Sequence, residues 1–192
     1  MSNSIVILLS SEKTIFSVSD LAILWKIKNN NYLKSKIYRL VQSGDLLRLH
    51  HGIFSVNMKY DKYELAGRLN NPSYISLETI LRENNIIFQY SSEITSISRI
   101  NKEYTAGGIK YKYYKIKDEV LYNSAGLEMK NNYTIASKER AFLDMIYLNK
   151  NYYFDNLDGL DWEGCFKLVE IYKNKSLVWR LKDYYKDYVG QK

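Results

Sequence analysis

Residues 16–54 read FSVSDLAILWKIKNNNYLKSKIYRLVQSGDLLRLHHGIF, and this stretch decides the fold. Ser17 precedes an apolar-periodic run and Asp20 follows three residues later, the spacing of an N-terminal capping box. Val18, Leu21, Leu24 and Trp25 make the apolar stripe of the helix that opens there. Asn29-Asn30-Asn31 breaks the chain. A second helix is expected from about Tyr32 to Gln42, where Leu33, Ile37, Leu40 and Val41 share one face. Gly44 stops it, and Leu46 to Val56 reads as a hairpin turning at His50-His51-Gly52. Two short helices followed by a basic two-stranded wing is the layout of a winged helix-turn-helix. Double-stranded DNA is therefore the first partner to test.

If the apolar face of the second helix turns inward, its opposite face carries Asn31, Ser35, Tyr38, Arg39 and Gln42, flanked by Lys34 and Lys36. These residue types suit a major groove. Arg pairs bidentately with guanine, Asn and Gln with adenine, and Ser or Tyr donates to phosphate. The N-terminal half of such a helix enters deepest, so Asn31, Lys34, Ser35 and Tyr38 are favoured for base edges. Arg39 and Gln42 fall nearer the backbone. Arg48, His50 and His51 sit on the wing, in reach of the adjacent minor groove, and Lys28 can bind phosphate from the turn. Adjacent histidines on a hairpin point apart, and no nearby Cys or carboxylate completes a tetrahedral set, so no metal is expected at His50-His51.

The charge distribution points the same way. The 192-residue chain has a net charge of +7. Residues 1–70 hold ten Lys and Arg against five Asp and Glu, whereas residues 71–192 hold eighteen against sixteen. The positive field is thus concentrated in the first third, as a polyanionic partner requires. A hydrophobic content of 46% supports a packed core. One cysteine, Cys165, excludes an internal disulfide and any Cys-rich zinc site. No segment approaches the roughly 20 apolar residues of a membrane span. Ile5-Val6-Ile7-Leu8-Leu9 is too short for a signal h-region and lacks a basic flank, so a cytoplasmic protein is expected. The nineteen tyrosines accompany many Asn, Lys and Ile, a bias that an A·T-rich gene produces, and carry little functional weight.

Outside this stretch, Ser2 to Ser11 reads as a first helix and Asp61 to Leu69 as a linking one. Pro72, the lone proline, follows Asn70-Asn71 and marks the domain joint. Ser76 is placed to cap a helix running to Glu83. Residues 87–90, 93–100, 109–116 and 120–122 alternate like strands, with turns at Gly107-Gly108 and Lys117-Asp118. Ser137 caps a helix from Lys138 to Leu148, and two more helices run from about Trp162 to Lys173 and from Leu177 to Tyr188. The expectation is an α+β protein of two domains. Residues 1–70 form a winged helix-turn-helix. Residues 71–192 form a mixed α/β domain with a mainly antiparallel sheet and flanking helices.

Four segments carry a resemblance to a known family. The wing, Gly44-Asp45-Leu46-Leu47-Arg48-Leu49-His50-His51-Gly52-Ile53-Phe54, is similar to the G-x-L-x-R-L-x-x-G-hydrophobic-aromatic wing of AbiEi-type antitoxins of abortive-infection toxin–antitoxin systems. Tyr74-Ile75-Ser76-Leu77-Glu78-Thr79-Ile80-Leu81 resembles that family's YIS-x-E-x-x-L segment. The strand-rich middle is the third. Ile135-Ala136-Ser137-Lys138-Glu139-Arg140-Ala141-Phe142-Leu143-Asp144 resembles its A-[ST]-x-E-[KR]-A-[LF]-x-D segment. The wing departs from the pattern at His50-His51, where a basic residue commonly stands, and nothing after Asn149 can be matched. The resemblance implies autorepression through inverted-repeat promoter DNA and neutralisation of a nucleotidyltransferase-like toxin by the C-terminal domain. It implies no cofactor and no catalysis. It gives Tyr74, Ser76, Glu78, Ser137, Glu139, Arg140 and Asp144 a structural or interdomain role, and leaves monomer and dimer both open.

Two other functions compete. Asp155, Asp158 and Asp161 space three carboxylates closely, as a metal-dependent nuclease targeted by a winged helix would. However, Asp155-Asn156 and Asp158-Gly159 are turn chemistry, and Asp161 is a natural N-cap for the helix at Trp162. Cys165 lies among Trp162, Phe166 and Val169, as a small buried side chain would. Gly107-Gly108 lacks any phosphate-loop pattern. A plain transcriptional regulator without a toxin is the other alternative.

Overall fold

A computed structural model of the chain describes residues 3–190. Ser2, where the first helix was expected to begin, lies outside the described residues. Helix α1 (Asn3–Leu9) buries Ile5 and Leu8. The short strand β1 (Phe16–Ser17) then leads into α2 (Val18–Leu24). The capping box forms as its spacing predicts. The Ser17 hydroxyl accepts from the Asp20 amide at 3.1 Å, and the Asp20 carboxylate accepts from the Ser17 amide at 2.9 Å. Helix α3 (Asn30–Gln42) starts two residues earlier than expected, because Asn29 is its cap and accepts from the Tyr32 amide at 3.0 Å. Strands β2 (Leu47–His50) and β3 (Ile53–Ser55) follow, joined through Gly52 at φ +71°, a left-handed turn conformation that glycine adopts without strain. The three strands make an antiparallel sheet in the order β1-β3-β2. Leu21, Leu33, Ile37, Leu46 and Phe54 form its small core with α1.

The rest of the chain is built on a second sheet. Helix α4 (Lys62–Leu69), capped by Asp61, leads to β4 (Ser73–Ile75) and α5 (Glu78–Glu83). Then come β5 (Ile94–Ser98), β6 (Lys102–Ala106), β7 (Ile109–Lys115) and the short helix α6 (Asp118–Leu121). Strands β8 (Leu127–Lys130) and β9 (Tyr133–Ala136) precede α7 (Lys138–Leu148). Helix α8 (Trp162–Leu168), a 3₁₀ turn (Val169–Tyr172) and α9 (Lys175–Gly190) complete the described residues. The six-stranded sheet has the order β6-β7-β5-β4-β9-β8. It is mixed: β5/β7 and β4/β9 pair parallel, and the other three pairs are antiparallel.

Local departures from the sequence reading have plain causes. Residues 87–90 alternate like a strand but join none, and the Phe88 amide donates to the Asp155 carboxylate at 2.7 Å. The Ile86 carbonyl instead accepts from the amides of Asp155 and Asn156, each at 3.1 Å. Val120 and Leu121 are buried from a helical turn, since a two-residue apolar pair carries no period. Ser76 does not cap α5. Leu77 precedes that helix with φ +58°, and the Ser76 hydroxyl turns into the core.

The two sheets share apolar and polar packing. Ile15 and Ile53 lie in the larger core with Leu65, Leu69, Tyr74 and Ile75. Glu64, buried on α4, accepts from the Thr14 amide at 2.8 Å and the Thr14 hydroxyl at 2.7 Å. That hydroxyl accepts in turn from the Asp61 amide at 2.9 Å. Asp20 joins Lys13 at 2.6 Å and Arg68 of α4 at 3.7 Å. Among the described residues no helix is long and apolar enough to cross a membrane.

Candidate nucleic-acid interface

Helix α3 buries Leu33, Ile37 and Leu40, so geometry alone sends Asn31, Lys34, Ser35, Tyr38, Arg39 and Gln42 outward, and all six are exposed. Tyr38 keeps 60% of its surface. Lys34, Ser35, Tyr38 and Arg39 line one shallow depression on the helix. Arg39 lies back along the helix, its Nε donating to the Ser35 carbonyl at 3.4 Å. Lys36 stands apart from this group. It is half-buried beside the apolar stripe, with its ammonium 4.5 Å from the Trp25 ring centroid. Burial, then the charge of Arg39, lowers its pKa below the ordinary value. Lys28 is exposed in the segment between α2 and α3.

On the β2–β3 hairpin, Arg48 is exposed and holds its guanidinium 5.6 Å from the Phe54 ring centroid. His51 is exposed in the turn, whereas His50 is half-buried. Its ring meets Tyr104 of β6 edge-on, at 5.4 Å between centroids and 89° between planes. The two histidines therefore face different surroundings, and one packs against the second sheet. Among the described residues, Lys28, Lys34, Arg39 and Arg48 take no carboxylate partner. Their charge is available to an external anion.

The segments 74–81 and 135–144 come together inside the large core. Asp144 is wholly buried and accepts three hydroxyls. Tyr74 donates at 3.0 Å, Ser76 at 2.7 Å and Tyr172 at 2.6 Å. Arg140, one turn earlier, donates to the carbonyls of Ala125 at 2.8 Å and Val120 at 2.7 Å, and to the Tyr74 hydroxyl at 3.2 Å. Its guanidinium also lies against the rings of Tyr74 and Tyr172. Burial pushes the Asp144 carboxyl above its ordinary range, opposed by Arg140 and by the hydroxyls of Tyr172, Ser76 and Tyr74. The side chains of the network are buried, so its hydrogen bonds form out of contact with solvent, where they are stronger and hold the joined segments together. Ser137 caps α7 by accepting from the Arg140 amide at 3.1 Å. Glu139 accepts from the Asp161 amide at 3.2 Å, which ties α7 to the start of α8. Glu78 is half-buried in the first turn of α5, in a polar cleft with Arg82, Glu93, Lys112 and Tyr114.

The three aspartates of the nuclease alternative do separate work. Asp155 accepts from the Phe88 amide at 2.7 Å, and the Asp158 amide closes a turn on the Asn156 side chain at 2.9 Å. Asp161 occupies the N-cap position of α8 without a side-chain capping bond. Among the described residues, no group of three or more His, Cys, Asp or Glu side chains converges as a metal site would require. Cys165 is fully buried, and burial, with Glu139 and Asp161 nearby, pushes its thiol up to about 12. Helix α9 buries Leu177 and Leu181, and its Tyr184 packs on Phe142 and Phe154. Trp179 is exposed beneath Lys182.

Sequence reasoning missed Tyr172 and Tyr104. Nineteen tyrosines give neither one a local signature. No family model matches the chain, and no curated protein matches it at a significant level.

Proposed function

We propose that residues 1–70 contain a winged helix-turn-helix that binds double-stranded operator DNA, with α3 as its recognition helix and β2–β3 as its wing. The observation that carries this reading is the exposed face of α3. Lys34, Ser35, Tyr38 and Arg39 line one depression there, opposite the buried Leu33, Ile37 and Leu40. The element order α1, β1, α2, α3, β2, β3, with β1 paired to the wing strand β3, supports it. In this reading Lys28, Arg39 and Arg48 supply the sequence-independent attraction to phosphate, while Asn31, Lys34, Ser35 and Tyr38 discriminate base edges. Residues 71–192 form the antitoxin portion in this proposal, which rests on the resemblance of the 74–81 and 135–144 segments. The chain then acts by binding: it represses its own operon at inverted repeats and counters a nucleotidyltransferase-like toxin.

The test has two arms. Fluorescence anisotropy on the duplex upstream of the gene should show salt-dependent binding that Lys34→Ala and Arg39→Ala each weaken. Unchanged affinity in both variants at several salt concentrations would remove α3 from the interface. Co-expression with the product of the neighbouring open reading frame should rescue growth. Absence of rescue, with DNA binding intact, would leave a plain regulator.

A further inference from the structure

The wing does not project freely. Ile53 belongs to the larger core, Leu49 packs against it, and His50 meets Tyr104 on β6. Strand β6 is one of the two edge strands of the six-stranded sheet, and the Tyr104 ring meets that of Tyr113 edge-on at 5.7 Å and 86°. The strand period puts Lys102 on the same face as Tyr104, and Glu103 on the other. The Lys102 ammonium lies 4.9 Å from the Tyr104 ring centroid. One ring thus touches both a wing histidine and a lysine of the second sheet. Lys102 is exposed and takes no carboxylate partner among the described residues. Its neighbour Glu103 is engaged by Lys110 at 2.8 Å on the opposite face.

We infer that the DNA surface is composite: Lys102 of β6 contacts phosphate beside the wing, and Tyr104 positions it together with His50. This inference rests on the winged-helix reading. A duplex backbone is a dense row of charge, so a cation held this close to the wing meets phosphates that the wing itself approaches. The rest of the chain is then part of the reader as well as its carrier.

The experiment uses the full chain and a mixed-sequence duplex of about 30 base pairs, because phosphate contacts are independent of sequence. Affinity is measured across a salt series. Lys102→Ala should lower affinity severalfold at low salt and reduce the slope of log affinity against log salt by about 0.9, while Lys102→Arg keeps the slope. Lys182→Ala, on α9, should leave both quantities unchanged. Tyr104→Phe keeps the ring contacts and should bind as wild type, whereas Tyr104→Leu should bind more weakly with its thermal midpoint monitored. A wild-type slope in Lys102→Ala overturns the composite surface, as does an equal loss in Lys182→Ala. If Lys34→Ala and Arg39→Ala are silent as well, the winged-helix reading falls with it. If those two respond and Lys102→Ala does not, only the composite surface falls.

Discussion

Arg140 and Asp144 lie one helical turn apart on α7, both fully buried, with Nε 3.5 Å from Oδ1. An i, i+4 ion pair on a surface contributes a few tenths of a kcal/mol. This pair is different, because every hydroxyl and carbonyl around it is oriented by the two charges. Removing one partner strands the other in a dry interior. Asp144→Ala should therefore cost about 3–5 kcal/mol in urea unfolding. Tyr172→Phe, which deletes one donor to the carboxylate, should cost about 1.5–3 kcal/mol. A loss below about 1 kcal/mol for Asp144→Ala would mean that the network contributes little.

Under the proposed function, α3 separates two kinds of contact. Ser35→Ala and Tyr38→Ala should narrow the gap between cognate and random duplex, by about 1–3 kcal/mol for a base contact. Arg39→Ala, and Lys34→Ala if that ammonium meets phosphate rather than a base edge, should weaken both duplexes equally and flatten the salt dependence. Competition anisotropy with the two duplexes distinguishes the outcomes. A uniform loss in Ser35→Ala and Tyr38→Ala would assign these residues to phosphate.

The acid limb of the stability curve should carry Asp20. Burial raises its pKa, but Lys13, the hydroxyl and amide of Ser17, and Arg68 together hold it at about 2, below the ordinary 3.8. A depressed folded-state pKa stabilises the fold above the unfolded value. The stabilisation is present above 3.8 and drains away as pH falls to about 2. It amounts to roughly 2 kcal/mol. Asp20→Asn should lose most of it at neutral pH and show a flatter curve through that window. A parallel acid limb in the variant would contradict the assignment.

Gly107 and Gly108 offer an internal comparison at the β6–β7 turn. Both have positive φ, +56° and +77°. A Cβ at Gly108 meets open space, whereas one at Gly107 lands on the Tyr60 hydroxyl. Gly108→Ala should cost about 1–2 kcal/mol, from the left-handed backbone alone. Gly107→Ala should cost more, and Tyr60→Ala in that background should return the excess. Equal midpoints in chemical denaturation for the two alanine variants would show that Tyr60 yields freely.

Much of this was legible in the chain. Ser17 and Asp20, and Ser137 at the head of α7, announce their helices because capping is local chemistry. Leu33, Ile37 and Leu40 declare the inner face of α3 through period alone. Strand direction was not legible: nothing in the alternation of β5 and β7 says that they run parallel. Strands β6 and β8 sit at the two edges with most side chains wet; β6 opens on Lys102-Glu103 and carries little apolar signal, and the alternation of β8 spans only four residues, too few to stand out. The reach of Asp144 to Tyr172 and Ser76 depends on tertiary placement, and so does the meeting of His50 with Tyr104.

Ile53 belongs to the β2–β3 hairpin yet is buried in the larger core, and Glu64 clasps Thr14 across the same seam. A head mortised into its body this way shares packing that a swivel would have to break. Under the proposed function, two such molecules side by side on one duplex would be spaced by the bulk of their bodies rather than by the play of a tether. Transplanting the first 70 residues onto another protein would hand over a head whose bearing had been left behind.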